Sequence, residues 1–280
     1  MQTVAIIGAG SLGGATAHAL ARSNLVRSIT LIDDTRRVAA GKALDIAQAA
    51  PIEGFATQLS GATDLSMAAG ASVVILADRM TGGEWQGEEG LVLLKRLSQT
   101  AAGAVILCAG PAQRELVDRG VRELKFARTR LFGSAPESLA AAARALVALA
   151  VNGSPRDIAL SVLGVPPVHT VIPWADSTVA GLALTRLVDE PSRRRLSARV
   201  TAIWPPGPYA LAAAAAVIVE AMAGRSHRVV SCFVAPDPNA GAHTRTGAMP
   251  VRLGPAGIVD VVLPSLSAVE QVALDNAMML

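Results

Sequence analysis

The stretch "AIIGAGSLGGATAHAL", residues 5–20, constrains the fold more than any other part of the chain. It sets Gly8, Gly10 and Gly13 in G-x-G-x-x-G spacing, after a β-branched run from Thr3 to Ile7 and before an alanine-rich helical stretch from Ala15 to Arg22. Each glycine has a task in such a turn. Gly8 permits the tight bend, Gly10 lets the backbone approach a pyrophosphate, and Gly13 lets the helix lie close on the strand. The amides of Ser11 and Leu12 then open the helix, where the aligned peptide dipoles favour an anion. A second apolar run, "SITLIDD", ends at Asp33, twenty residues past Gly13. A carboxylate there accepts hydrogen bonds from ribose hydroxyls and repels a 2′-phosphate, which points to NAD rather than NADP. Asp34 reads as a cap on the following helix, while Arg36 and Arg37 leave NADP open.

The alternation continues beyond this unit. "ASVVILAD" and "GAVILCAG" read as strands, and Glu88 to Thr100 and Gln113 to Leu124 as helices. Continuous apolar strands belong to a parallel sheet covered on both faces. After Ser138 an alanine-rich helix from Leu139 to Val151 leads into "DIALSVLG", "HTVIPW", "SCFVAPDP" and "MPVRLGPAGIVDVVL", strands bounded by Pro and Gly. The expected division is a dinucleotide-binding domain over 1–139 and an α+β domain over 140–280.

Composition narrows the function. Of 280 residues, 51% are hydrophobic and 17% charged, which is globular rather than disordered. The net charge of +3 comes from basic residues scattered along the sequence, so nucleic acid is not an expected partner. Arg193, Arg194, Arg195 and Arg199 read as a solvated helix face. Cys108 and Cys232 have neither CxxC spacing nor neighbouring histidines, so no metal site or disulfide framework is expected. The apolar run Tyr209 to Val219 is too short to span a bilayer and reads as a buried or interfacial helix. These features suggest a cytoplasmic protein with no membrane partner.

"GKALDIAQAAPIEGF", residues 41–55, resembles the malate dehydrogenase branch of the lactate/malate dehydrogenase family. "SVVILAD", "LCAGP", "VLG" and "MPVRLGPAGI" extend the resemblance along nearly the whole chain. It implies a doubly wound Rossmann sheet followed by the family's α+β substrate domain, NAD as cofactor, and a homo-oligomer, either dimer or tetramer. It also places Ala77 where the backbone approaches the cofactor.

Laid on the family's motifs, the reacting residues are replaced. In "ADRMTGGEWQGEEG" the two substrate-loop arginines fall on Thr81 and Gly87. The asparagine of "LCAGP" becomes Gly110. The aspartate that orients the catalytic histidine becomes Leu139, the carboxylate-binding arginine becomes Ala142, and the histidine becomes Pro166. No residue is therefore expected to be catalytic. Arg144 stands two residues past Ala142, about 200° away around a helix, and is no substitute. His169 reads as a strand residue. Asp78 stands where the family has a glycine, and two readings apply: it repels a pyrophosphate, or it points to solvent. Three functions follow in order: an NAD-binding member without turnover, an oxidoreductase for a non-anionic substrate using Arg79, Glu84 or His169, and an interaction protein with a vestigial nucleotide site.

Overall fold

The structure, a computed structural model, describes residues 2–237 and 244–279. Its first half is built from short apolar strands that a parallel sheet buries on both faces. The order is β1 (Gln2–Ile7), α1 (Ser11–Arg22), β2 (Val26–Ile32), α2 (Arg36–Glu53), β3 (Gln58–Ala62) and β4 (Val73–Leu76). A two-residue pair follows, β5 (Asp78–Arg79) and β6 (Gly83–Glu84), then α3 (Gly87–Thr100), β7 (Val105–Cys108), α4 (Arg114–Arg122), β8 (Leu131–Gly133) and α5 (Ala135–Val151). β4 and β7 are buried at every position, as their unbroken apolar sequences require.

The second half contains β9 (Ile158–Ala159), β10 (Leu163–Val165), β11 (His169–Val171), β12 (Thr178–Val179), β13 (Leu182–Ala183), α6 (Glu190–Ala202), α7 (Pro208–Met222), β14 (Val230–Val234), β15 (Gly247–Gly254), β16 (Gly257–Val261) and α8 (Ala268–Met279). Its longer strands do not form a separate sheet. β14 pairs antiparallel with β8 through Phe233 and Gly133, so one sheet runs β11-β10-β15-β14-β8-β7-β4-β1-β2-β3, with β16 on β15. The expected join at 139/140 lies inside α5. The alanine-rich α7 buries Leu211, Ala215, Ile218 and Met222, and packs on α1 and α5; small side chains let these helices approach closely. Among the described residues no helix is long and apolar enough to cross a membrane.

α1 starts at Ser11, where its first amides were expected, four residues before the alanine-rich stretch, and Gly13 lies against the Gly8 carbonyl with no side chain between. α5 starts at Ala135 rather than Leu139. Pro136 sits in its first turn, where a missing N–H costs nothing. The predicted strand "ASVVILAD" also stops sooner, at Leu76. Asp78 belongs instead to the β5–β6 pair.

What positions the site is the strand order. The chain builds β1, β2 and β3 outward, then returns to place β4 on the other side of β1. The loops leaving β1 and β4 therefore turn apart at the carboxyl edge and open a crevice, the place where doubly wound sheets hold ligands.

Candidate functional site: the crevice beyond β1 and β4

The three glycines occupy the positions their spacing assigns. Gly8 has φ +110° and donates to the Ile32 carbonyl at 2.7 Å, a conformation that disfavours any side chain. A Cβ on Gly13 would strike the Gly8 carbonyl oxygen, which is the close helix-on-strand contact expected of it. Gly10 caps α1 without a side-chain hydrogen bond, and Ser11 and Leu12 are the first two helical residues. No carbonyl within the helix can accept from those first amides. Ser11 is exposed at the crevice edge and Leu12 is buried beneath it. Ala77 closes the other side, fully buried, with its amide on the Ile7 carbonyl at 3.0 Å.

Asp33 lies just past β2, as predicted, but it is 4% exposed rather than open to the crevice. Its Oδ2 accepts from the Ala9 amide at 2.8 Å and the Met80 amide at 3.3 Å, and its Oδ1 accepts from Thr35 at 3.1 Å. Burial alone would raise its carboxyl pKa, but the amides of Ala9, Thr35 and Met80 and the bond with Asp34 outweigh burial and hold it below its ordinary value. Asp34 is shifted upward, chiefly by its side-chain bond to Asp33. Asp34 does not cap α2: Thr35 is the residue preceding that helix, and Arg37 is exposed on its first turn.

Asp78 does not point to solvent. The side chain turns inward to the phosphate loop: Oδ1 accepts from the Gly13 amide at 3.0 Å, and the Asp78 carbonyl accepts from the Gly10 amide at 2.8 Å. A side chain at Gly10 would collide with the Asp78 carboxylate. The absent side chain that makes room for a phosphate thus makes room here for a carboxylate. The glycine geometry fits a dinucleotide, and the Asp78 carboxylate lies in the space beside Gly10.

Two further residues stand at the crevice: Lys42, which sequence reasoning missed, and Glu84, which it named only as a candidate for an altered substrate. Lys42 on α2 donates Nζ to the Gly10 carbonyl at 2.6 Å, placing a cation beside the phosphate loop. Glu84 fills the slot left by Gly110, where its Oε2 accepts from the Ala112 amide at 3.0 Å. Burial raises the Glu84 carboxyl, with Asp78 adding to the shift and the Ala112 bond opposing it. The only sequence signal for Glu84 was the acidity of its loop.

The remaining candidates are dispersed or occupied. Thr81 and Gly87 are exposed, the latter opening α3 with φ +52°. Leu139 is fully buried, Ala142 is half-buried on α5, and Pro166 is buried after β10. Arg144 pairs with buried Glu137 and donates to the Leu160 carbonyl at 3.0 Å, so its charge is spent on structure. Arg79 stacks its guanidinium 4.4 Å over Trp85 and pairs with Glu89 at 2.9 Å. His169 begins β11, paired with Val165. Among the described residues no group of three or more His, Cys, Asp or Glu is arranged to hold a metal ion.

Residues 2–96 match the family model described as lactate/malate dehydrogenase, NAD binding domain. The chain is 28% identical to the malate dehydrogenase of Thermomicrobium roseum over 294 residues, covering 99% of this chain and 94% of that protein. It is 27% identical to the malate dehydrogenase of Thioalkalivibrio sulfidiphilus over 296 residues, covering 99% and 96%. Over residues 2–96 the chain matches the NAD binding domain of the lactate/malate dehydrogenases, and over nearly its whole length it is similar to these malate dehydrogenases. Its fold superposes on malate dehydrogenase from Salinibacter ruber with a TM-score of 0.88 at 23% identity, covering 98% of this chain and 93% of that one. A lactate dehydrogenase from Cryptosporidium parvum, solved with lactic acid and NAD, gives 0.88 at 20% identity over 99% and 94%. The β1–α1–β2 crevice is therefore that of an NAD-binding domain of lactate/malate dehydrogenase type.

Proposed function

We propose that this chain is a dinucleotide-binding member of the family that does not carry the family's 2-hydroxy-acid dehydrogenase chemistry. NAD supplies or accepts hydride when bound; the residues that would hold it are Gly8, Gly10, Ser11, Leu12, Gly13, Asp33 and Ala77. In this reading residues 1–139 form the dinucleotide domain and 140–280 the substrate-type half. Reduction of a 2-oxo acid needs a proton donor at the new hydroxyl and cations for the carbonyl and carboxylate. Placed on the family's motifs, those roles fall on Pro166, Leu139, Ala142, Thr81 and Gly87. None carries a group that titrates near neutral pH to serve as general acid, and none can form a planar two-point bond to a carboxylate.

The observation that carries the reading is the contrast between a formed phosphate loop and the burial of both Leu139 and Pro166. A general acid contributes about 10²–10⁴ in rate and one preorganised donor about 10²–10³, so losing either would nearly silence the ordinary reaction. The altered-substrate reading has less support, because Arg79 is engaged by Trp85 and Glu89 and Glu84 by the Ala112 amide. A homo-oligomer in the cytoplasm completes the proposal. It is supported by Leu44 and Ile52, which stand 61% and 88% exposed on α2.

Calorimetric titration with NAD⁺ and NADH, followed by turnover assays with malate, oxaloacetate, lactate and pyruvate, tests this function. Saturable binding without turnover is expected. Ordinary turnover on any of the four would refute it, and no binding by folded protein would favour the vestigial-site alternative.

A further inference from the structure

The β5–β6 hairpin contacts the dinucleotide crevice at three separated points. At the centre, the Asp78 carboxylate accepts from the Gly13 amide at 3.0 Å and fills the space beside Gly10. Toward β2, the Met80 amide donates to Asp33 at 3.3 Å, covering the carboxylate expected to meet a ribose. Toward β7, Glu84 lies in the Gly110 slot and accepts from the Ala112 amide at 3.0 Å. The hairpin also holds its own shape. Asp78 pairs with Glu84 and Arg79 with Gly83, the turn uses positive φ at Gly82 and Gly83, and Arg79 donates to the Gly82 carbonyl at 3.1 Å while stacking on Trp85.

A phosphate approaching the start of α1 needs the amide and the volume that Asp78 holds. A second anion is disfavoured in that place, because Asp78 already takes the Gly13 amide and fills the space beside Gly10, and the two charges repel. We propose that the β5–β6 hairpin is a built-in occupant of the dinucleotide crevice. Closed, its Asp78 carboxylate takes the place of a phosphate at Gly10 and Gly13; NAD(H) binds only after the hairpin swings out. This rests on the dinucleotide-binding reading above. The apparent affinity is then reduced by the fraction of molecules that are open.

The test compares NADH affinity of the wild-type chain, Asp78→Gly and Asp78→Asn by calorimetry, with amide hydrogen exchange at Gly13 and Met80 as a second readout. Removing one charge-assisted bond that competes with the ligand should tighten NADH binding by about 10- to 100-fold in Asp78→Gly. Asp78→Asn, which keeps the side-chain shape and so guards against misfolding, should show a smaller gain in the same direction. In the wild type, saturating NADH should speed exchange at Met80 while protecting Gly13. Equal affinities for all three folded proteins, with Met80 still protected in the NADH complex, would overturn the occupant role and leave dinucleotide binding standing. Absence of binding in all three would overturn the dinucleotide-binding reading and this inference together.

Discussion

The loop after β1 and the segment after β10 are the two regions the family uses for cofactor and for acid-base chemistry, and this chain treats them differently. The first keeps a geometry that cannot be relaxed: Gly8 needs its positive φ, and Gly13 needs to touch the Gly8 carbonyl. In the reading proposed above, the roles of the second fall on Pro166, buried directly after β10, and on Leu139, buried in α5. Glycines that shape a turn serve the fold as well as a ligand, whereas a catalytic histidine and its carboxylate are buried polar groups that burden the fold. In a chain without turnover, as proposed above, the physical pressure on the two regions points in opposite directions.

The largest effect that would sharpen this contrast lies on the substrate side. Glu137 is 2% exposed and receives Arg144, Arg228 and the Ser231 amide. Glu137→Ala strands the Arg144 charge and should cost about 3–5 kcal/mol in a denaturant titration. A loss below about 1 kcal/mol would mean that these charges are not serving the fold. Next is Gly13→Val, which drives a side chain into the Gly8 carbonyl; a loss of about 3 kcal/mol is expected, together with lost NADH binding. Full stability in that variant would break the contrast from the cofactor side.

Asp33→Asn should have an intermediate effect of about 1–2 kcal/mol, because the charged acceptor for three amides is removed. The sign with pH is fixed by the lowered folded value. The stabilisation is complete above the unfolded carboxyl pKa, about 3.9, and is lost as pH falls through the folded value. The variant should therefore flatten the acid limb of the stability curve. The smallest expected effect is at Glu84, whose carboxyl is shifted upward by burial. Protonation favours the docked hairpin, so docking weakens and NADH affinity rises severalfold as pH increases through the folded Glu84 value. Glu84→Gln should abolish that dependence, and an unchanged pH profile in the variant would remove Glu84 from the hairpin's hold.

Much of the fold was legible because its signals are local. The run before Gly8, the glycine spacing, and Asp33 at the end of β2 define a β–α–β unit without reference to distant residues. α7 was legible from its apolar length. What was not legible depends on tertiary contact. The alanine-rich pattern marks α5 only from Leu139, whereas the helix begins at Ala135 with Pro136 in its first turn, and Ser11 to Gly14 are helical despite the low propensity of glycine. The β5–β6 hairpin has strands of two residues, too short for any periodicity. That Asp78 turns inward follows from the missing side chain at Gly10, sixty-eight residues earlier in the sequence. The site was thus half visible: its cradle could be read, and its occupant could not.

The most direct test of the split between a retained cradle and erased chemistry is a single-turnover experiment, in which the chain saturated with NADH is mixed with excess oxaloacetate and NADH absorbance is followed. The expected trace is flat on the timescale of seconds, with NADH still bound and recoverable. Oxidation at the roughly 1–10³ s⁻¹ of ordinary enzymes would show that a proton donor and carboxylate clamp exist elsewhere in the crevice, and would contradict the split.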